Sequence, residues 1–563
     1  MKNYSLIIIV ALCGLFGFSQ NPNTGNLPHE RLFVNTNAET FVTGETLNYK
    51  LYFWNSETSN KSAISKIAYI ELIDSNKKIV SRQKANQQNQ TASGSIFIAP
   101  ALQTGNYKLI AYTAWMLNES NRNFYESDIT IVNPFAKTEA SKMFVQATRL
   151  QDHPNQPTDY TLKTNKKVYS TREKIDLQLP AISGNFSVSV RKKSLLFENS
   201  KKNVQLLLDG YSKQQASFEH NFFPLPEFRG ELVSGRISSK TGQSLNNKMI
   251  ALSVLGKFPD LKIVETNRDG KFTFILDQNP NSPNIVVQVL DLNRDNFEIT
   301  LDDAIAADIT GLVFSPEINL SAEDKESIEE RSVAAQIQNA YYNLKKDSIQ
   351  QIPLNLPFYN SPQKIYKLDD FTRFPTIRET ITEILKEVDY KKTRTGYLVF
   401  LRKYLAGADV FGPPLVLVDG LPIQDLTELF DYPATQIQEV DIVNDPYIYG
   451  PRTFSGIIHF ITKNNDFELK TNSSSIKKSV ILRPLPQKIF NAPNYSGSDK
   501  ENRVPDYRQQ ILWVPELQLT GQPQTITFYT SDSAGTYEVL FEGFDSDGKP
   551  VSMNDLVEIR ESN

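Results

Sequence analysis

The sequence predicts a multidomain, mainly β protein: several β-sandwiches and one small α/β unit. Three observations predict it. Apolar, aromatic and β-branched residues come in short runs separated by turn residues, the pattern of sandwich strands. Between 367 and 466 such runs alternate with helical patterns, which calls for an α/β layer. The 563 residues are 40% hydrophobic and 11% aromatic, enough for roughly three to five ordinary cores and too apolar for wholesale disorder.

Residues 1–20 read as a leader, outside the fold. Lys2 precedes the apolar run Leu6–Phe18, which is short of the roughly 20 residues a spanning helix needs. Cys13 leaves lipidation open, although Leu12 before it is bulky. Removing the leader removes the one cysteine of the chain. That excludes disulfides, thiolate zinc sites and a cysteine nucleophile. No second apolar run approaches spanning length, so no transmembrane segment is expected after cleavage. The formal net charge of −4 gives no reason to expect nucleic acid or an anionic membrane as a partner.

Residues 27–135 predict a first sandwich. Leu47–Phe53 alternates with period two, and Lys66–Ile73 and Tyr107–Trp115 read as further strands. Residues 145–227 predict a second sandwich that repeats the first. Thr36–Leu51 and Thr164–Leu179 align without gaps at an offset of 128 residues. They share Thr-Asn, an aromatic (Phe41, Tyr169), a threonine (Thr43, Thr171) and a glutamate (Glu45, Glu173). The pattern Asn37–Glu45 resembles the opening of macroglobulin-like domains; Arg172 replaces the glycine in the second copy. Residues 228–316 predict a third sandwich, with the turn Asp269-Gly270 before the alternating Lys271–Phe274. Gly235–Ile237 and Thr266–Phe272 resemble the carboxypeptidase regulatory-like domain. In 317–366 a helix is expected across Asn319–Lys345, with Ser321 and Asp324 at its start, bridging domains by default.

The α/β unit is placed at 367–466. Thr376 and Glu379 have capping-box spacing, and Ile377, Ile381, Ile384, Leu385 and Val388 mark one helix face. Strands follow at Tyr397–Leu401, Leu415–Val418, Val440–Val443 and Gly456–Thr462, with a short helix at Leu426–Phe430. Asp419-Gly420 is a tight turn, and Gly450 and Gly456 allow close backbone approach. The phrases Leu415–Gly420, Ile437–Ile442, Tyr449-Gly450 and Gly456–Thr462 resemble the plug domain of TonB-dependent outer-membrane receptors. In that family the plug sits inside a barrel of the same chain. Only about 100 residues follow Lys463, against well over 200 for a receptor-sized barrel of about 22 strands. Residues 467–505, rich in Pro, Asn and Ser, read as a linker. Residues 506–563 read as a C-terminal sandwich, with strands at Arg508–Val514, Thr525–Tyr529 and Tyr537–Glu542.

This combination resembles an exported protein group of Bacteroidetes-type bacteria, in which the plug subunit of the type nine secretion translocon is the closest role. The resemblance implies a periplasmic protein whose partner is an outer-membrane β-barrel in trans, with the plug-like unit occluding or gating the pore. Phe411, Tyr447, Tyr449 and Phe454 are the expected partner contacts, because aromatics are favoured at interface cores. A periplasmic or surface module binding protein or glycan is the alternative. No enzyme is expected. The histidines His29, His153, His220 and His459 are far apart and form no H-x-x-x-H pair, and neither a G-x-S-x-G elbow nor a Walker A loop occurs. His459 alternates with Ile457 and Ile461 and reads as a packed strand residue. No cofactor and no metal site are predicted, and Asp269 reads as a bare turn residue.

Overall fold

The first sandwich forms where the alternation places it. One sheet pairs Glu30–Thr36 with Thr46–Asn55, whose other side carries Thr91–Phe97 and Asn60–Lys61. The second runs in the order 40–42, 125–132, 105–112, 67–73 and 79–86. Their inner faces bury Leu32, Val34, Phe41, Leu47, Leu51, Phe53, Ile70, Leu72, Leu109 and Ile129. The computed structural model describes residues 27–119, 123–136, 160, 162–193, 218, 224–256, 259–276, 282–315, 324–350, 357–394, 396–404, 412–496 and 503–561. The leader 1–20 with Cys13, the helix-start residue Ser321, and His153, His220 and Phe411 lie outside the described residues.

The second sandwich is built from two distant parts of the chain. Ser183–Lys192 pairs antiparallel with Gln510–Thr520 on one side and Gly535–Asp545 on the other. Lys174–Leu179 pairs with Gln524–Tyr529, and Val168–Ser170 lies parallel to the end of Pro550–Arg560. One core joins Tyr169, Leu177, Phe186 and Val188 to Leu517, Phe528, Phe541, Val551 and Ile559. The sequence expectation of separate sandwiches at 145–227 and 506–563 is therefore corrected. Each part is half a domain, and everything from 193 to 509 is inserted between two neighbouring strands.

The third sandwich centres on Glu231–Ser239, flanked by Lys271–Leu276 and Phe297–Leu301. Its facing sheet has the order 260–265, 249–254, 284–289 and 476–480. The expected linker 467–505 is thus corrected to a strap with several attachments. Ile476–Val480 completes the third sandwich, Pro484–Leu485 adds to the edge strand Ile79–Asn86 of the first, and Lys488–Ile489 pairs with Ser348–Ile349. Proline and serine gave this stretch a loop-like composition, but its short strands only extend edges that other sequence creates.

The helix Asp324–Ala340 bridges the first and second sandwiches. Its buried stripe includes Arg331 and the small residues Ser332, Ala334 and Ala335, which allow close approach. Arg331 donates to Glu45 at 2.8 and 2.6 Å, and Glu330 pairs with Lys192. The two sandwiches also meet directly. Phe544 of the second enters the first core against Trp54 and Tyr52, with ring centroids 4.8 and 5.0 Å apart. Among the described residues no helix is long and apolar enough to cross a membrane.

Candidate functional site

The α/β unit is a five-stranded sheet in the order 364–367, 437–443, 457–462, 415–418 and 421–422. Its first strand, Lys364–Lys367, begins ahead of the expected boundary at 367. One face carries the helices Ile377–Glu383 and Leu426–Phe430 over Tyr366, Val416, Val418, Val440, Ile442, Ile458 and Phe460. Thr376 and Glu379 form the reciprocal capping box. The helix ends at Glu383, so Val388, expected on its face, instead starts the hairpin strand Val388–Lys392 and is buried there. The other sheet face is not free. Leu415, Leu417, Val443 and Ile457 pack on Ala251, Leu261 and Ile263 of the third sandwich.

At that joint sits the turn Asp419-Gly420. The two residues have φ of +47° and +80°, the signs a two-residue type I′ hairpin needs. Asparagine and aspartate tolerate this region better than most residues. The buried Asp419 carboxylate accepts from Thr462 N at 2.8 Å, Thr462 Oγ1 at 2.6 Å and Phe467 N at 3.1 Å. Gly420 O accepts from Ser253 Oγ of the third sandwich at 2.9 Å. A Cβ on Gly420 would lie 2.6 Å from Pro259 Cβ. Gly456 is needed for a different reason, because a Cβ there would meet Val443 O at 2.2 Å.

A buried polar chain crosses the same place. Gly420 N–H donates to His459 Nε2 at 3.0 Å. Nε2 is therefore unprotonated, and the neutral ring carries its proton on Nδ1. Nδ1 lies 2.7 Å from Tyr359 Oη, and Tyr359 donates onward to Asp441 Oδ2 at 2.8 Å. The three side chains are 5% exposed or less. Burial pushes His459 down to about 4, keeping the imidazole neutral at physiological pH. Burial also pushes Asp441 up to about 6, although the Tyr359 hydrogen bond lowers it. The chain orients groups that could in principle shuttle a proton. Its hydrogen bonds stay within 359–459, tying Tyr359 to the sheet, and the Tyr359 ring also packs in the apolar cluster shared with the third sandwich. His459 sits in the strand position expected of it. Tyr359 was missed by sequence reasoning. It lies in the expected helix-and-linker segment 317–366, where the only signal is the aromatic pair Phe358-Tyr359 after Pro357.

Of the expected partner contacts, Tyr447, Tyr449 and Phe454 have partners within the chain. Tyr447–Tyr449 and Arg452–Phe454 form a hairpin whose turn begins at Gly450, φ +59°. This hairpin folds inward. Tyr449 donates to Leu261 O and stacks on Phe358 at 4.1 Å. Tyr447 donates to Phe358 O at 2.9 Å. Phe454 is buried in the same cluster. The third sandwich offers this hairpin an apolar bed, so its aromatics are used within the chain. Ile448, at 75% exposure, points away, and the turn residues Gly450 and Pro451 are exposed as well. Among the described residues no group of three or more His, Cys, Asp and Glu is placed to hold a metal ion, and the turn at Asp269 is closed by Asn267, not by further carboxylates.

No family model matches the sequence, and no curated protein matches it either. Solved structures do show a likeness in β-domain content. Escherichia coli α2-macroglobulin activated by porcine elastase is 9% identical with a TM-score of 0.24, over 94% of this chain and 44% of that one. The chain thus spans less than half the length of that macroglobulin. A tetra-tandem repeat from the extending region of a large adhesion protein is 11% identical with a TM-score of 0.14, over 47% of this chain and 70% of that one. The Yersinia pseudotuberculosis adhesin InvE is 11% identical with a TM-score of 0.14, over 48% and 57% of the two chains. Likeness at this level decides neither domain arrangement nor activity.

Proposed function

We propose that the chain is an exported, non-enzymatic protein on the periplasmic side of the outer membrane. It associates with an outer-membrane β-barrel in trans and occludes or gates the pore through its α/β unit, in the manner of the plug subunit of the type nine secretion translocon. The observation behind this is the mounting of the unit. One sheet face carries its own core, and the other is clamped to the third sandwich by apolar packing, the Ser253–Gly420 hydrogen bond and the inward hairpin. A domain that holds a pore shut must resist displacement, and close buried packing provides that stiffness.

Because the aromatics of 447–454 are engaged within the chain, the partner contact is assigned to the helical face of the unit. Affinity purification of the full tagged chain from envelopes in mild detergent should recover a β-barrel protein. Cells lacking the chain should admit large antibiotics. Recovery of no barrel protein, with unchanged permeability, would sink the proposal. The alternative of a protein- or glycan-binding module draws on one feature, a cleft of about 960 Å³ between the first and third sandwiches lined by Lys84, Arg236, Lys271, Asp302 and Lys477. Glycan binding lost on Arg236→Ala, without any barrel partner, would favour it.

A further inference from the structure

The hairpin Val388–Lys392 with Tyr397–Leu401 concentrates charge that the chain average hides. From Lys386 to Lys403, six of eighteen residues are Lys or Arg and two are acidic, in a chain of net charge −4. The two acids are engaged: Glu387 accepts from Tyr366 Oη at 2.5 Å, and Asp389 faces Arg402 at 3.8 Å. Lys403 is taken by Asp445. That leaves Lys391, Lys392 and Arg394 at the tip, all exposed and without an acidic partner among the described residues. On the neighbouring helix the acids face away from ion pairing with the tip: Asp425 caps Thr427 N at 3.0 Å and Glu428 accepts from Lys470 N at 2.7 Å and from Thr471. Between the cations, directly across from Lys391, Leu398 is 55% exposed.

We propose that this hairpin is a docking site for an anionic phospholipid surface. An uncommitted cation cluster is attracted to anionic headgroups through their negative surface potential. An exposed leucine between cations suits the boundary of headgroups and acyl chains, where the apolar side chain is buried and the charges stay in the polar layer. An acidic protein patch would instead be matched by positioned donors, and among the described residues no acidic partner holds these three side chains. The inner face of the hairpin is anchored, with Tyr397 stacked on Phe430 at 4.0 Å and Val399 and Leu401 buried, so the cationic tip is presented on a fixed base. The inference rests on the hairpin alone and stands whether or not a barrel is the partner.

Co-sedimentation tests it, using the full chain without residues 1–20. Vesicles of phosphatidylglycerol mixed with phosphatidylcholine should retain the protein at low salt, and phosphatidylcholine alone should not. Each cation near such a surface strengthens partition roughly fivefold. Replacing Lys391→Gln, Lys392→Gln and Arg394→Gln together should therefore weaken it by about a hundredfold while leaving thermal unfolding unchanged. Leu398→Ser should weaken binding severalfold with no change in its salt dependence. Equal binding to both vesicle types, or a triple variant that sediments like the parent, would overturn the proposal. So would a triple variant defective only in capturing an acidic protein.

Discussion

The first and second sandwiches are the same fold wired differently. Both have a sheet in which a short leading strand lies parallel to the last strand of the domain: Thr40–Val42 on 130–132, and Val168–Ser170 on 558–560. Outward from that pair, 125–132, 105–112, 67–73 and 79–86 correspond to 550–560, 535–545, 183–192 and 510–520 in the same order and sense. The local chemistry repeats as well. Asn37 Oδ1 accepts from Asn48 N at 2.9 Å, and Asn165 Oδ1 accepts from Asp176 N at 3.0 Å. Glu45 accepts from Val42 N at 2.9 Å, and Glu173 from Ser170 N at 2.7 Å. The difference is one connection. In the first sandwich the strands 67–73 and 79–86 are joined by a short turn. In the second, the third sandwich, the bridging helix, the α/β unit and the strap are all inserted at that point. A hairpin connection can be opened this way because its ends are adjacent and loop closure costs grow slowly with length.

Breaking that connection should give the largest effect. A chain ending at residue 505 leaves Ser183–Lys192 without either neighbour. Its backbone amides should exchange at unprotected rates, while those of the first sandwich stay slow. Retained protection at Phe186–Val190 would mean that 163–192 folds alone. A subtler test uses Phe186 and Phe541, both fully buried and stacked at 4.6 Å. Each change to alanine should cost about 3–5 kcal/mol. Because they share one core, the double variant should depart from additivity by roughly 0.5–3 kcal/mol. Strict additivity would argue for two separate domains.

The same comparison explains what was legible in the sequence. Strand periodicity, the capping box at Thr376 and Glu379 and the turn at Asp419-Gly420 are local, and each sits where its residues place it. The front halves of the two sandwiches could be matched because Thr36–Leu51 and Thr164–Leu179 carry turn chemistry of their own. The rear halves hold little beyond alternation, which announces a strand without naming its partner. So 506–563 read as a domain, and Ile476–Val480 as linker. The site was legible in the same uneven way. His459 was recognisable as a packed strand residue. Tyr359 and the inward turn of Tyr447, Tyr449 and Phe454 depend on the third sandwich, which supplies their contact surface from nearly two hundred residues upstream.

The turn glutamates differ in surroundings, and acid should separate them. Glu45 is buried between Arg331 and Arg191, at 2.6 and 3.5 Å. Burial alone would push its carboxyl up, but the two guanidiniums outweigh burial and hold it below the ordinary 4.5. A folded-state pKa below the unfolded one means that the unfolded chain takes up the proton first as pH falls. The contribution is complete above about pH 4.5 and shrinks below it. Arg331→Met should cost about 3–5 kcal/mol at neutral pH by leaving Glu45 underpaired in a buried position. Glu45→Gln should flatten the acid limb of denaturant midpoints against pH. Glu173, held low mainly by its hydrogen bond to Lys166 near the surface, should flatten that limb less when replaced by glutamine, because solvent screens an exposed pair.

The smallest expected effect concerns the turn position where a glycine in one copy of the repeat faces an arginine in the other. Gly44 has φ +93° and the equivalent Arg172 has φ +57°, so the turn demands a left-handed residue in both copies. Gly44→Ala should cost roughly 1–2 kcal/mol, the usual penalty for a side chain in that region. Arg172 already carries the penalty and offsets it with a bidentate pair to Asp532 at 2.6 and 2.7 Å and a guanidinium 4.9 Å from the Tyr495 ring. Arg172→Gly removes the strain but also the pair, and it loosens the unfolded chain. A partly exposed pair contributes at most about 1 kcal/mol. The terms nearly cancel, so protection of Lys174–Leu179 should change by about 1 kcal/mol or less. A loss above about 2 kcal/mol would exceed what such a pair can supply. Arg172 would then be a clasp between the inserted strap and the completed sandwich, since it also donates to Val504 O at 2.9 Å.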